Sequence, residues 1–191
     1  MRRPWHVPLA AVAVVAVLAG CGGDDVRGSG DATPAASSAL PPLATEPGNG
    51  PSGFGTVLAR ITAADGTVCE RCMWLAENQD DRARGLMGVT DLGGLDGMVF
   101  RYDEPGRRSF WMKDTLLPLS IAFVGADGGL VGVADMAPCV ADPCPSYGPD
   151  EPFQVAIEVA QGRLGELGLG DGSVVELRGD CDPTTSDQTG A

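Results

Sequence analysis

Apolar and polar residues alternate in short runs between residues 57 and 178, and turn residues separate the runs. Residues 57–62 and 68–76 read as two β-type runs around Asp65-Gly66, a turn signal. Asn78 is placed to cap a short helix over residues 79–88, with Ala83, Leu86 and Met87 on its inner face and Asp80–Arg84 as an i,i+4 ion pair. A glycine-rich loop at 91–97 leads to a strand over 98–102, where Met98, Phe100 and Tyr102 share a face. After the turn at Glu104-Pro105-Gly106, residues 109–113 are expected as a strand. Phe110 and Met112 fall on one face of it, Trp111 and Lys113 on the other. Residues 120–124 and 130–136 flank Asp127-Gly128-Gly129 as a hairpin, and residues 137–152 read as an irregular loop with Pro and Cys. Residues 153–159 alternate cleanly, with Val155, Ile157 and Val159 inward and Glu158 outward. One helical turn is expected over 163–167, ended by Gly168, and a strand over 173–178 closes the pattern. Seven or eight short strands predict a mainly β fold, a compact sandwich, jelly-roll-like or barrel-like domain with one or two short helices.

The first residues follow another pattern. Arg2 and Arg3 precede an apolar run over 7–18, interrupted only by Pro8, and Leu18-Ala19-Gly20-Cys21 follows. The run is shorter than the roughly 20 residues of a membrane-spanning helix and fits a signal-peptide core. The small residues before Cys21 resemble a bacterial lipobox, which implies cleavage before Cys21 and its diacylation, with palmitate-type chains as the membrane anchor. The expected organisation is a signal peptide at 1–20, a lipidated cysteine and flexible linker at 21–53, a β-rich domain at 54–182 and a loose polar tail at 183–191. The linker is built from Gly, Ala, Ser, Pro and Asp, with too few large apolar residues to form a core.

Composition narrows the chemistry. The chain has 191 residues and a formal net charge of −13. Losing Arg2 and Arg3 with the leader would make that charge more negative still, so attachment to anionic lipid would rest on acyl chains. The acidic balance argues against a nucleic-acid partner, which needs a cationic footprint. His6 is the one histidine, and it lies within the leader. The mature chain would lack histidine, which excludes Ser-His-Asp and Cys-His nucleophile systems and helical zinc sites of the H-E-x-x-H kind.

Cys69, Cys72, Cys139, Cys144 and Cys181 remain once Cys21 is set aside. Outside the cytoplasm these read as disulfides. Cys139 and Cys144 are the favoured pair, Cys181 is expected to clamp to Cys72 or Cys69, and the odd number leaves one thiol free or paired between chains. A four-cysteine zinc site from C-x2-C and C-x4-C and a redox role for Cys69 and Cys72 are the alternatives. Met87, Met98 and Met112 could hold Cu(I), but their alternation with Phe100 and Phe110 favours a core role. No metal and no cofactor is assigned.

The segments 82–87 (RARGLM), 97–100 (GMVF), 110–115 (FWMKDT) and 118–123 (PLSIAF), with Glu158-Val159, Gly162 and Gly170-Asp171-Gly172, resemble the family known as domain of unknown function 192. The resemblance covers nearly all of residues 57–178. It implies a compact, mainly β domain of sandwich or jelly-roll type, often exported, and it carries no established activity. Members often have Asn where this chain has Asp114, and Asp where it has Ser120.

Lys113, the one lysine, falls two residues from Trp111 on the same strand face, within reach of a cation–π contact. With Asp114, Thr115 and nearby Arg82 or Arg84, these two form a candidate site for a small anionic or polar ligand. The bland alternative packs Trp111 in a sandwich and pairs Lys113 with an acid at the rim. The overall expectation is a membrane-anchored, extracytoplasmic lipoprotein that works as a binding or accessory module of the cell envelope, its partner a small ligand or an envelope protein. A histidine-free, hydrolase-like enzyme using Lys113 and nearby carboxylates, or a Cu/Zn carrier, is the alternative.

Overall fold

A computed structural model describes residues 50–182. The leader, Cys21, most of the linker and the tail lie outside the described residues.

Nine strands form the domain: β1 Gly55–Thr62, β2 Val68–Ala76, β3 Gly97–Gly106, β4 Phe110–Trp111, β5 Leu119–Val124, β6 Leu130–Met136, β7 Ser146–Tyr147, β8 Phe153–Ala160 and β9 Val174–Leu177. Seven lie in one sheet in the order β6-β5-β8-β3-β2-β1-β9, and β4 pairs with β7 in a second, two-stranded sheet. All neighbours in the large sheet are antiparallel except β2 and β3, whose pairing is parallel. The large sheet curls until its two edges touch at one corner. There Val175 N–H donates to Gly128 O (2.8 Å) and Leu130 N–H to Ser173 O (3.3 Å). The contact is one bridge, Gly129 to Val174, and the sheet does not close into a barrel.

Alternation along the strands sorts side chains to two faces. The inner face of the curl holds Val57, Ala59, Ile61, Met73, Leu75, Val99, Ile157 and Val175, all buried. The outer face carries Met98, Phe100, Leu119, Ile121 and Phe123, which are also buried, under the segment after β2 and the β4–β7 sheet. A sheet covered on both sides explains why β5, LSIAFV, is buried at every position. It also corrects one expectation. Glu158 points to the face opposite Ile157, as alternation requires, but that face is covered, and Glu158 is 5% exposed.

Other elements depart locally from the pattern. Helix α1 spans Gln79–Arg84 and stops well short of residue 88. Asn78 caps it as expected, its side chain accepting from Asp81 N–H at 2.9 Å. Gly85 ends it: φ is +46°, and a Cβ there would sit 3.2 Å from the Phe100 ring. No helix residue is buried, so Ala83 does not face inward, while Leu86 does. Arg84 pairs with Asp81 rather than Asp80. Strand β3 runs through Glu104-Pro105-Gly106, the expected turn, with a register shift between Arg101 and Gly106. The strand expected over 109–113 is shorter. Phe110 and Trp111 pair with the two residues of β7, inside what the pattern reads as a loop, and Lys113 makes only an isolated bridge to Cys139. Gly97 faces the Glu158 carbonyl so closely that any Cβ would collide with it, so glycine lets β3 and β8 approach at that point.

Two disulfides join pairs of the described residues. Cys72–Cys181 (S–S 2.08 Å) ties β2 to the chain beyond β9, where Thr56 Oγ1 also donates to Cys181 O at 2.7 Å. Cys139–Cys144 (S–S 2.07 Å) closes a short loop. Cys72 is bonded away from Cys139 and Cys144, so these cysteines do not gather as a four-cysteine zinc site. Nor do Cys69 and Cys72 bond to each other. No described cysteine is free, and Cys69 is disulfide-bonded as well, so the odd cysteine is not the free thiol that is one of the two expectations.

Candidate functional site

The outer face is not fully filled. Between the segment that follows α1 and the β4 rim lies a cleft of about 40 Å³, with Glu158 at its floor. Space of that size admits a water or a small functional group. Phe100 from β3, Phe110 from β4 and Leu86 wall it, and the buried Thr115 and the exposed Trp111 also line it. Arg82 and Arg84 line its mouth. The local sequence sets this up. Gly85 turns the chain back from α1 so that Leu86 enters the outer core, and the Phe110 ring meets Phe100 edge-on at 5.0 Å.

Glu158 is the unusual group. Burial pushes its carboxyl up to about 8, and neither a hydrogen bond nor a neighbouring charge pulls it back. The polar groups around the cleft spend their hydrogen bonds elsewhere. Thr115 Oγ1 donates to Lys113 O at 3.3 Å. Arg82 Nη1 donates to Glu77 O and to Arg101 O. Arg84 Nη1 donates to Ser52 O at 2.9 Å, and its guanidinium stacks over Phe54 at 3.9 Å. Tyr102, beside Arg82, is half-buried. Burial raises its phenol, and Arg108 and Arg82, whose guanidiniums lie 4.1 and 4.8 Å from its ring centre, oppose that rise.

Of the sequence-derived ligand candidates, the fold brings Arg84, Trp111 and Thr115 to this cleft and leaves Lys113 and Asp114 out of its lining. Trp111 is 52% exposed, so its indole is presented rather than packed. Lys113 Nζ lies 5.6 Å from the Trp111 ring centre and 3.5 Å from Asp142, a residue of the Cys139–Cys144 loop. Asp114 adopts φ +54° and its carbonyl accepts from Gly88 N–H at 2.8 Å, so its role in the fold is a turn. Met98 and Met112 are fully buried in the outer core. Ser120 Oγ donates to the Asp135 carboxylate and accepts from Gly162 N–H at 2.9 Å. A carboxylate thus stands beside this position on the neighbouring strand.

The sequence profile of the DUF192 family, described as Uncharacterized ACR, matches residues 60–177. The chain belongs to this family. Two solved structures share its fold. One, from Sinorhizobium meliloti 1021 and labelled a candidate transcription regulator, is 26% identical with a TM-score of 0.59, over 67% of this chain and 98% of that one. The other, a protein of unknown function from Novosphingobium aromaticivorans DSM 12444, is 30% identical with a TM-score of 0.55, over 78% of this chain and 99% of that one. No curated protein matches. Within the matched range, Phe100, Phe110, Trp111 and Thr115 line the Glu158 cleft.

Glu158 is the residue that sequence reasoning missed. Its strand alternates like a half-buried one, which sends Glu158 to water. The available signal lay next door: an unbroken apolar run at 119–124 marks a sheet with two covered faces.

Proposed function

We propose that this member of the family is an extracytoplasmic lipoprotein, anchored through an acylated Cys21, whose β domain is a non-catalytic binding module of the cell envelope. The observation that carries the binding reading is Glu158. A carboxyl with no protein partner, held at the floor of an open cleft, costs stability. Folding must keep it neutral while the unfolded chain ionises it, a cost on the order of 3 kcal/mol at neutral pH. A group kept at such a cost in a cleft marks a site. The arrangement of the leader and the two disulfides, Cys72–Cys181 and Cys139–Cys144, suit export to an oxidising compartment.

Catalysis is less well supported. Glu158 could serve as a general acid, but no activated nucleophile accompanies it among the residues that line the cleft. The Thr115 hydroxyl is bonded to a carbonyl, and Lys113 pairs with Asp142 outside the cleft. The transcription label of the S. meliloti protein is not carried over, because a chain of net charge −13 lacks the footprint that DNA requires.

Two measurements test the proposal. Cys21→Ala should move the chain from the membrane fraction to the soluble fraction and remove the mass of the acyl groups. An unacylated wild-type chain would refute the anchor. A small-molecule screen followed by the Trp111 indole NMR signal should return ligands that compete for one cleft, and Trp111→Ala should weaken them. Ligands that leave the signals of Trp111 and Phe110 unmoved would refute the site.

A further inference from the structure

We propose that the Glu158 recess binds a carboxylate-terminated small molecule, whose oxygen accepts a hydrogen bond from the Glu158 carboxyl while Arg82 and Arg84 face its charge from the mouth. The inference rests on the reading of the cleft as a ligand site and names the chemistry of the ligand.

Three observations choose this class. Glu158 is the one acidic side chain that lines the cleft, in a domain rich in acids, and the two other charged residues that line it are arginines. A cationic ligand would meet two guanidiniums on entry, whereas an anion meets complementary charge. The walls are Leu86, Phe100 and Phe110, which exclude water and leave polar contact to the floor and the mouth. Arg82 keeps donors for a ligand, since its hydrogen bonds to protein come from Nη1.

The protonation state fits. Burial holds the proton on Glu158 at neutral pH, which makes it a donor, and an oxyanion is the acceptor that uses such a donor best. Of the titratable or charged groups on the elements around it, Arg82 and Arg84 line the cleft and Tyr102 of β3 interacts electrostatically with Glu158. Asp80 and Asp81 of α1 and Arg101, Asp103 and Glu104 of β3 stay out of the lining, Asp81 pairing with Arg84 and Arg101 with Glu77. Strand β4 presents Phe110 and Trp111, and β5 presents Ile121. The cavity of about 40 Å³ takes the carboxylate head group, and the remainder of the ligand lies over the exposed Trp111 indole.

Acetate is the probe, titrated into the full chain at pH 6.5 and pH 9.5 and followed by the Trp111 indole signal. Wild type should bind acetate about thirtyfold more weakly at pH 9.5, because Glu158 then loses its proton and repels the anion. Glu158→Gln keeps a donor of the same size, and it should bind acetate with equal affinity at both pH values. Affinity that is flat or rises with pH in wild type overturns the inference. So does a folded Glu158→Gln that no longer binds. The wild-type series needs no variant, so the test holds if that variant does not fold. Methylammonium and acetamide run in parallel. If either moves the Trp111 signal and acetate does not, the cleft stands as a site and the carboxylate inference falls. If none of the three does, both fall.

Discussion

Inside the curl of the large sheet, Val57, Ile61, Met73, Val99 and Ile157 meet in a buried apolar cluster. Outside it, Phe100, Phe123 and Phe153 lie under a thin cover, and the Phe123 and Phe153 rings stand 5.0 Å apart. The inner cluster is enclosed by strands and by the segment around the helical turn between β8 and β9, which contributes Leu164, Leu167 and Leu169. The outer one is capped by a six-residue helix with no buried residue, the turns after it and a two-stranded ribbon, and it keeps a gap above Glu158. The two faces of one sheet thus divide the work. The inner face supplies cohesion, and the outer face combines packing with a site, because only an incomplete cover leaves an opening. Local stability should follow the same division.

The largest effect should come from the clamp that spans β2 and the C-terminal strap. Replacing Cys72 and Cys181 together with Ala opens a loop of sequence separation 109, and chain entropy alone puts the loss at about 4–5 kcal/mol. The short loop closed by Cys139–Cys144, of separation 5, should lose only about 2 kcal/mol. Urea unfolding of the two double variants measures the ratio, and equal losses would show that the strap is not part of the cooperative unit.

Next in size, Ile157→Ala in the inner cluster should cost roughly 3–4 kcal/mol, because the site is enclosed and cannot relax. Phe110→Ala in the outer cover should cost less, about 1–2 kcal/mol, although the side chain is larger, because Phe110 is only partly buried. The reverse order would reject the division between the two faces.

Glu158 makes the comparison pH-dependent. Its carboxyl is raised in the folded state, so the unfolded chain releases the proton first. Stability is complete below the unfolded value of 4.5 and declines as pH rises toward about 8. The difference between Glu158→Gln and wild type should therefore grow from near zero at pH 4 to roughly 3 kcal/mol in favour of Gln at pH 7. Thermal melts of both proteins across that range check it, and a constant difference would mean that Glu158 titrates normally.

The smallest effect belongs to the rim. Lys113→Ala breaks a partly exposed ion pair with Asp142 and should change stability by less than about 1 kcal/mol. Because Lys113 lies outside the cleft lining, the variant should also bind cleft ligands nearly as well as wild type, as calorimetry would show. A loss of binding beyond tenfold would move the site toward the Cys139–Cys144 loop.

Much of the fold was readable from local pattern. The hairpin of β5 and β6, the cap at Asn78 and the stop at Gly168 follow from turn chemistry and short-range geometry. The pairing of Cys139 with Cys144 is local in the same way. The choice of Cys72 for Cys181 was not, since both Cys69 and Cys72 lie on β2 and only the position of the strap on the outer face selects between them. At the site, Arg84, Trp111 and Thr115 were legible as chemistry near a family segment, and their shared cleft was not. Glu158 was misread because alternation assigns a residue to a face and says nothing of what covers that face.

The sequence by itself determined the strand-rich class, the family, the apolar leader and the short-range turns. All of these depend on residues within a few positions of one another, where steric preference and periodicity act directly. The tertiary structure decided which face of β8 is covered, which edges of the sheet meet and which cysteine takes Cys181. It also decided that a glutamate rests beneath an arginine-rimmed cleft. Those outcomes depend on burial, and burial is set by elements far apart in the chain, whose packing no local window records.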